Sequence, residues 1–302
     1  MRATLTTEGV DPPESANLGV TASGSGDFLL FVERTISPGP KRLEGIECSR
    51  LCQFSTDGHG AISVSADMAM ISRGNILIDG LSLEDRELLI AVATDFDFQL
   101  GHVFMEPADV VDHIYFVDEG IVSAVALMKD GRSVEAYMVG REGFIGSTAW
   151  QIPSTTAVRY VAQMAGKARK VDAKRVRELV TKSQGLRVSL ATYHAALQRE
   201  LEQSTACNAI HTSEQRFSKW LLRAHDRASD GVLQMTQEFL ANMLGSQRTT
   251  VNEAAQNLTR KGAIAYSRGR VLVKDRHALE LAACECYGVT KGIADGVSRA
   301  GS

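Results

Sequence analysis

Short apolar runs with a period of two fill the middle of the chain, from about residue 98 to residue 171. The runs at 114–117, 121–128 and 134–139 read IYFV, IVSAVALM and VEAYMV, and they end in DEG, KDG and GREG. Asp-Gly and Glu-Gly between short apolar runs are typical of hairpin turns. Several short strands at this spacing predict an antiparallel β-roll of the jelly-roll kind, and with the helices around it an α+β fold.

A helical pattern precedes this region in LSLEDRELLIAVATDF, residues 81–96. Ser82 is suited to cap the helix, and Glu84 and Asp85 place carboxylates in the first turn, where they favour the helix dipole. The apolar stripe of this helix consists of Leu88, Leu89 and Val92. Upstream, residues 1–67 hold four of the six prolines and several Gly/Ser stretches without sustained periodicity. We interpret them as disordered or as a non-native extension.

A short helix is predicted over 172–180, and a long helix follows from about 186 to 209. Apolar residues of the long helix recur at gaps of four, three, four and four, which is close to a heptad seam. They are Leu186, Leu190, Tyr193, Leu197 and Leu201. Such a seam indicates either a helix packed on its own domain or a helix that pairs two chains. Its place between a roll and a separate C-terminal domain favours the pairing of two copies.

Two short amphipathic helices meet at Gly245 in TQEFLANMLGSQRTTVNEAAQNLTRKGAI, residues 236–264. Thr236 and Ser246 are suited as N-caps, and Gly245 permits the tight turn found in helix-turn-helix units. On the first helix the expected buried residues are Leu240, Met243 and Leu244. On the second they follow the spacing i, i+3, i+4, i+7 and are Val251, Ala254, Ala255 and Leu258.

The opposite face of the second helix carries Arg248, Thr249, Asn252, Glu253 and Gln256. Arg suits guanine, Asn and Gln suit adenine, and Glu accepts a hydrogen bond from cytosine. We therefore predict that this helix reads base edges in the major groove of DNA. A solvated polar helix and a winged helix that binds only proteins are the alternatives.

The segment AIAYSRGRVLVKD, residues 263–275, places two apolar runs around SRGR. This pattern predicts a hairpin wing in which Arg268 and Arg270 contact phosphate. Seven cationic against four anionic side chains across 235–280 give a local charge of +3, in a chain whose net charge is −3. A local excess of cations favours phosphate contact through counterion release.

The composition is that of a globular protein, with 44% hydrophobic residues among 302. The apolar runs are too short to cross a membrane and the N-terminus has no apolar signal region, so we expect a cytoplasmic protein without a membrane partner.

The predicted domains follow in chain order. They are an extension at 1–67, a β-roll at 68–182, a dimerisation helix and hinge at 183–212, a winged helix at 213–290 and a flexible tail at 291–302.

Five cysteines, an odd number, argue against a disulfide framework in a cytoplasmic protein. Cys48 and Cys52 form CxxxC and Cys284 and Cys286 form CxC, which are not typical spacings of a zinc site, and Cys207 stands alone. We therefore expect buried thiols and no metal site.

From about residue 75 to residue 287 the chain resembles the Crp-Fnr family of bacterial transcription regulators. In the first half the resemblance rests on IYFVDEGIVSAVALMKDGRSVEAYMVGREGFIG, with its Tyr, its hairpin and its GxFIG-like loop. In the second half it rests on MTQEFLANMLGSQRTTV and KGAI, which are similar to the family's helix-turn-helix. The resemblance implies a homodimer with an effector-binding β-roll, a long dimer helix and a winged-helix DNA-binding domain.

The resemblance also implies roles for individual residues on DNA. Arg248 and Thr249 fall at base-reading positions and Glu253 at a third, which is usually Arg in the cyclic-AMP receptor branch, so we expect a different target sequence. Phosphate contacts are implied for Thr236, Gln237, Gln247 and Thr250. The implied target is double-stranded DNA with an inverted repeat, and an activator of this kind would also contact RNA polymerase.

The effector site implied by the resemblance departs from the cyclic-nucleotide pattern. Ser147 stands where those proteins have a ribose-binding Glu, and Ala157 and Val158 stand where they have an Arg-Ser/Thr pair for the phosphate. A buried phosphate without a cation is costly, so we do not expect cyclic AMP, and the effector is unknown. The effector-site candidates are Arg141, Glu142, Gly143, Phe144, Ile145, Gly146, Ser147 and Arg159. We expect no haem, and no iron–sulfur cluster because only Cys48 and Cys52 lie near the N-terminus.

The resulting hypothesis is a homodimeric, sequence-specific DNA-binding regulator that a small effector modulates, and not an enzyme. One alternative is an adaptor that senses a ligand and acts through protein contacts. Another is a cupin-like metal enzyme, which needs an HxH pair with a further Glu and His. His102 and His113 are lone histidines in the roll and do not provide that set.

Overall fold

A computed structural model describes residues 2–3, 17–22, 28–33, 44–47, 54–56, 62–64, 74–228, 232–235, 237–267 and 269–300. The chain divides into two compact units, residues 1–72 and residues 73–302. The first unit contains an antiparallel sheet of order β1-β2-β3-β4 and a hairpin of β5 and β6. These strands are Arg2–Ala3, Asn17–Ala22, Phe28–Glu33, Glu44–Glu47, Phe54–Thr56 and Ile62–Val64. The other residues of 1–67 lie outside the described part, so their predicted disorder stays a prediction.

The second unit begins with two short helices and an antiparallel β-roll. The roll is one six-stranded sheet of order β10-β9-β12-β7, in which β11 also pairs with β9 and β8 with β12. The elements are α1 (Ile76–Asp79), α2 (Leu83–Ile90), β7 (Thr94–Phe98), β8 (Val103–Met105), β9 (His113–Leu127), β10 (Ser133–Val139), β11 (Phe144–Ile145) and β12 (Arg159–Asp172). The α+β fold with an antiparallel roll is confirmed.

The prediction of a hairpin at DEG was wrong, because β9 is one strand of 15 residues that runs through it. Gly120 has a φ of +92°, and the β9–β12 register shifts three times between Ala162 and Ala168. A Cβ at Gly166 would collide with the carbonyl of Glu119, so the two strands approach closely here. The glycines therefore form an irregular bend within a long strand pair instead of a turn. KDG does form the hairpin between β9 and β10, with Gly131 at a φ of +86°.

The helix predicted over 81–96 is shorter than the pattern suggests. Ser82 caps it, its side chain accepting a hydrogen bond from the backbone N–H of Asp85, but the helix ends at Ile90. Residues from Thr94 onward pair with β12 and extend the sheet. Of the predicted apolar stripe only Leu89 is buried, whereas Leu88 and Val92 are exposed.

The long helix is α4 (Gln184–Ile210), which follows α3 (Ala173–Lys182). Four of its predicted seam residues are buried in the core of the roll of the same chain, and the fifth packs partly buried against that core. The four buried residues are Leu186, Leu190, Tyr193 and Leu197, and the fifth is Leu201. The helix therefore uses this seam to pack on its own domain, which was the alternative to pairing two chains.

The C-terminal part is a winged helix. Its elements are α5 (Ser213–His225), β13 (Val232–Gln234), α6 (Gln237–Leu244), α7 (Arg248–Arg260), β14 (Ile264–Ser267), β15 (Arg270–Val273) and α8 (Arg276–Ala282). The strands form a three-stranded sheet of order β13-β15-β14. Its hydrophobic core also contains Ile121, Val125 and Met138 from the roll, so the two domains share one apolar cluster.

A last helix, α9 (Cys286–Ala300), packs along α4. The prediction of a flexible tail over 291–302 was therefore wrong as far as Ala300. Ile293 and Val297 are buried, and Val297 belongs to the core cluster of the roll. Among the described residues, no helix combines the length and the apolar character that crossing a membrane requires.

Candidate nucleic-acid interface and effector region

Helix α7 is anchored by one apolar face. The residues predicted to be buried there, Val251, Ala254, Ala255 and Leu258, are all buried in the winged-helix core. Two of them are alanines, which allow α7 to lie close to its neighbours. The helix is thus held at a fixed rotation about its axis.

The opposite face of α7 presents the predicted base-reading residues. Arg248, Thr249 and Glu253 are exposed, and Asn252 is partly exposed. Because residues one turn apart stack on a helix, these side chains form one continuous polar surface. The structure therefore brings the predicted base-reading set together on one solvent-facing side.

The helix-turn-helix turn differs in one detail from the prediction. Gly245 has a φ of +56°, which a glycine adopts without the strain of a side chain. Gln247, not Ser246, is the N-cap residue of α7, and no side chain in the described part of the chain makes a capping hydrogen bond there. The Ser246 hydroxyl instead contacts the carbonyl oxygen of Leu244 and the guanidinium of Arg216, at 3.3 Å and 3.2 Å.

The predicted wing is a hairpin of β14 and β15. Gly269 sits in its turn with a φ of +73°, and Arg270 is exposed next to it. Burial raises the pKa of Tyr266 on β14, while the charge of Arg248 opposes that rise, so the wing lies near the start of α7. Thr236 and Arg268 lie outside the described residues, and of Gln237 only the backbone is described.

Several cations that contribute to the local charge of +3 are already paired within the protein. Lys261 lies 2.6 Å from the carboxylate of Glu214. Arg276 lies 2.7 Å from Asp226 and 3.0 Å from Glu280. The cationic surface available to phosphate is therefore smaller than the sequence count indicates.

The predicted effector loop, residues 141–147, is held in place by contacts within the protein. Glu142 accepts hydrogen bonds from Arg227 Nη2 at 2.7 Å and from Nε at 2.9 Å, and both side chains are nearly buried. Burial alone would raise the pKa of Glu142, but the charge of Arg227 and backbone N–H donors hold this pKa below its usual value. The carboxylate is thus an ionised partner of Arg227, which follows helix α5.

The centre of this loop is closely packed. Phe144 and Ile145 are buried, and the Phe144 ring lies 4.8 Å from that of Tyr193, measured between centroids. A Cβ at Gly143 would collide with the ring of Tyr193. Gly146 has a φ of +87°, and a Cβ there would lie 2.9 Å from Val111 Cγ1.

Three tyrosines fill the space between the roll and α4. The hydroxyls of Tyr137 and Tyr160 lie 2.6 Å apart, and the ring of Tyr193 covers the loop beside them. Burial raises the pKa of all three, so the hydroxyls are neutral hydrogen-bonding groups. In this conformation aromatic side chains occupy the position next to the effector loop.

Comparisons with known proteins agree with this structure. Residues 215–282 match the Crp-like helix-turn-helix domain. The chain is similar to FixK2 from Bradyrhizobium japonicum, with 19% identity, 64% of this chain and 98% of that chain covered, and a TM-score of 0.55. The chain therefore has a Crp-like helix-turn-helix domain within a fold similar to that of FixK2.

Two further solved structures support the same fold. A transcriptional regulator of the Crp/FNR family from Eubacterium rectale shares 16% identity, with 68% of this chain and 96% of that chain covered and a TM-score of 0.53. The c-di-GMP responsive regulator CLP from Xanthomonas campestris shares 17% identity, with 64% and 100% covered and a TM-score of 0.51. Among curated proteins, no sequence matches this chain.

The two arginines among the effector-site candidates, Arg141 and Arg159, are engaged in other contacts. Arg159 Nε lies 2.9 Å from Glu106 Oε2, and Arg141 donates to the carbonyl oxygen of Gly74 at 3.0 Å. The backbone carbonyl of Ser147 contacts His194 Nδ1 at 3.0 Å. Most of the predicted effector residues thus form a packed loop, and together with Arg159 they do not form a cationic pocket in this conformation.

A surface pocket of about 300 Å³ lies elsewhere on the roll. It is lined by Phe104, Met105, Asp109, Val110, Asp112, His113 and Tyr115. None of these is a predicted effector residue. Its two carboxylates make it unsuitable for an anionic ligand such as a nucleotide.

Polar contacts between the roll and the winged helix were not predicted. Glu135 is partly buried and accepts hydrogen bonds from Trp220 Nε1 at 2.8 Å and from Ser123 Oγ at 2.6 Å. Glu200 on α4 pairs with Arg223 on α5. One signal of these contacts was present in the sequence, namely a charged residue within an otherwise apolar element. Such a residue indicates that a partner exists but does not identify the partner.

Three cysteines of the described chain lie close together, which the sequence did not predict. Cys207, Cys284 and Cys286 are buried, as expected, but they converge at the contact between α4 and α9. His211 joins them. The spacing of the residues could not show this, because the two halves of the cluster are more than seventy residues apart.

Proposed function

We propose that this protein is a homodimeric, sequence-specific DNA-binding transcription regulator that binds an inverted repeat. The observation that carries the proposal is helix α7, whose apolar face is fixed in the core while Arg248, Thr249 and Glu253 face solvent. A recognition helix needs this combination, because base edges are read only by side chains held in a fixed register.

On DNA, α7 would enter the major groove with its first two turns toward the bases. Arg248 would donate to guanine, Asn252 would pair with adenine, and Glu253 would accept from the amino group of cytosine. Gln247 and Thr250 near the helix start, and Arg270 on the wing, would contact the phosphates that flank the groove. Glu253 in place of a cation makes the preferred sequence of this chain differ from that of the cyclic-AMP receptor branch.

The proposed dimer uses a face of α4 that the chain's own core leaves open. Val188 is 54% exposed, and Ala191 and Ala195 are exposed at gaps of three and four residues. This second stripe has the same spacing of three and four residues as the buried seam, but it lies on the side of α4 that faces away from Leu190. Two α4 helices paired along it would set two recognition helices side by side, which matches a symmetric DNA site.

The dimer can be tested by sedimentation equilibrium. We expect a dimer for the wild type and a shift to monomer for Ala195→Glu, because a carboxylate would be buried at the centre of the pairing face. Val110→Glu, at a 61% exposed position of the roll, is the matched control and should stay dimeric. A wild type that is monomeric at every concentration would contradict the proposal.

We also propose that the effector loop acts on DNA binding through Glu142. Its partner Arg227 follows α5, the first helix of the winged helix, so a ligand that moves the loop would move this helix. A ligand shifts the equilibrium only through different affinities for the two states. The Xanthomonas protein with this fold is c-di-GMP responsive. A ligand panel should therefore include c-di-GMP alongside cyclic AMP, which we expect to have no effect.

Selection of genomic fragments with the purified protein tests the DNA proposal. Fragments retained at low salt are sequenced, and we expect a two-fold symmetric motif with half-sites about 34 Å apart, one helical turn. The Arg248→Ala protein is the control and should lose the motif at one base pair of each half-site. A protein that retains no DNA at low salt but captures a protein partner would favour the adaptor instead.

A further inference from the structure

Four side chains with metal-binding atoms meet at the end of α4. They are Cys207, His211, Cys284 and Cys286, and their sulfur and nitrogen atoms all lie within 4.8 Å of one another. The sulfurs of Cys207 and Cys284 are 3.6 Å apart, and Cys286 Sγ lies 3.6 Å from His211 Nδ1. The three cysteines are buried and His211 is partly buried.

The local structure explains why these four meet. Cys207 and His211 are four residues apart at the end of α4, so they lie on the same face, and His211 is the C-cap residue. Cys286 is the first residue of α9, and Cys284 lies two residues before it in the connection from α8. The packing of α9 along α4 brings the two pairs together.

We propose that this cluster is a structural metal site for a divalent ion of the zinc class. Three thiolates and one imidazole are a standard ligand set for tetrahedral zinc. With Zn–S near 2.3 Å and Zn–N near 2.0 Å, a tetrahedron places its sulfurs about 3.8 Å apart and sulfur and nitrogen about 3.5 Å apart. The Cys207–Cys284 and Cys286–His211 separations of 3.6 Å lie close to these values. All four positions are filled by protein, so the site is closed to substrate.

The surroundings of the cluster also fit a bound cation. Glu285 Oε2 lies 3.2 Å from His211 Nε2, so the carboxylate can accept the Nε2–H and leave Nδ1 as the ligand. Gln203 Nε2 lies 3.0 Å from Cys286 Sγ, as a donor to a thiolate. One Zn²⁺ with three thiolates retains one negative charge, and the buried cation Lys219 acts on Cys207 from nearby.

A metal ion bound by these four residues would crosslink α9 to α4. Two ligands belong to the last turn of α4 and its cap, and the other two to the start of α9 and the connection just before it. Binding that requires the folded arrangement stabilises it, since the unfolded chain does not hold four ligands together. Such a site would be independent of DNA binding.

Metal analysis of the full-length protein tests the site. The protein is purified without chelator and without a histidine tag, and its metal content is measured by mass spectrometry. We expect about one zinc ion per chain, and loss of this zinc in Cys284→Ser and Cys286→Ser. Cys48→Ser with Cys52→Ser is the matched control and should retain the metal. A wild type that binds no zinc even after reduction and zinc addition, or a control pair that loses it, overturns the proposal.

A second measurement does not depend on removing a ligand. Reduced apoprotein is titrated with Co²⁺, and we expect the intense visible bands of tetrahedral cobalt together with thiolate charge-transfer absorption. Glu285→Gln leaves all four ligands in place and should weaken zinc affinity about 10–100-fold in competition with a chromophoric chelator. The weak spectrum of octahedral cobalt, acid-labile sulfide in the wild type, or a Cys207–Cys284 disulfide in the protein purified under reducing conditions would each overturn it.

Discussion

The recognition helix and the effector loop are both rich in polar groups, but the protein uses these groups in opposite ways. On α7 the polar side chains face solvent and the apolar ones are buried, so the polar surface is available to a partner. In the loop at 141–147, Glu142 is paired with Arg227 and the centre is packed against Tyr193. The loop's polar groups therefore stabilise this conformation, whereas those on the exposed face of α7 are placed to contact a partner.

The largest expected effect is on the loop, from Glu142→Ala. This change leaves Arg227 buried without its carboxylate partner, and breaking a buried ion pair in this way costs about 3–5 kcal/mol. We expect that loss in the free energy of unfolding, measured with urea. Asp130→Ala removes the exposed partner of Arg132 and should have no measurable effect. Equal stability of Glu142→Ala and wild type would show that the pair is not formed.

The same carboxylate predicts a pH dependence. The folded-state pKa of Glu142 lies below the usual value of 4.5. The ion pair therefore contributes its full stability above pH 4.5, and this contribution is lost as the pH falls through the lower folded-state pKa. Urea unfolding measured from neutral to acidic pH should show a steeper decline for the wild type than for Glu142→Ala.

On the recognition helix the expected change is in DNA affinity and not in stability. Arg248→Ala should cost about 1–3 kcal/mol on the selected site and relax the preference at one base pair. Fluorescence anisotropy with the selected site and with scrambled DNA measures both effects. Arg132→Ala, an exposed arginine on the β9–β10 hairpin, should bind like the wild type. An equal loss on both DNAs would make Arg248 a phosphate contact.

Alanine substitutions at two glycines should differ in their effect on stability, because one glycine is closely packed and the other is not. Gly143→Ala would push a methyl group into Tyr193, and overpacking of this kind costs about 1–3 kcal/mol. Gly292→Ala on α9 meets no atom within 4 Å in the described chain, and should be neutral or stabilising because alanine favours helix. Thermal unfolding of both variants decides whether the loop is as tightly held as the structure indicates.

The smallest effect is expected from the wing. Arg270→Ala should weaken binding to all sequences equally and reduce the salt slope of log K by about one. Lys261→Ala is the matched control, since Glu214 already compensates its charge, and it should leave the slope unchanged. Identical slopes for the two variants would remove Arg270 from the phosphate contacts.

Local patterns in the sequence predicted much of the fold. The spacing of Val251, Ala254, Ala255 and Leu258 identified the buried face of α7, because helical periodicity depends on neighbouring residues alone. DEG was misinterpreted because its turn chemistry is local, whereas the long pairing of β9 with β12 that overrides it is not. The loop's partner Arg227 and the cysteine cluster could not be predicted either, since each depends on contacts between distant segments.

The tryptophan at the junction of the two domains gives the molecule an internal optical probe. The sequence has two tryptophans, Trp150 in the roll and Trp220 on α5, whose indole donates to Glu135 of the roll. Separation of the domains would break this bond and expose the ring to water, which moves tryptophan emission to longer wavelength. With Trp150→Phe, the fluorescence of Trp220 alone would follow that separation in real time, as ligands or DNA are added.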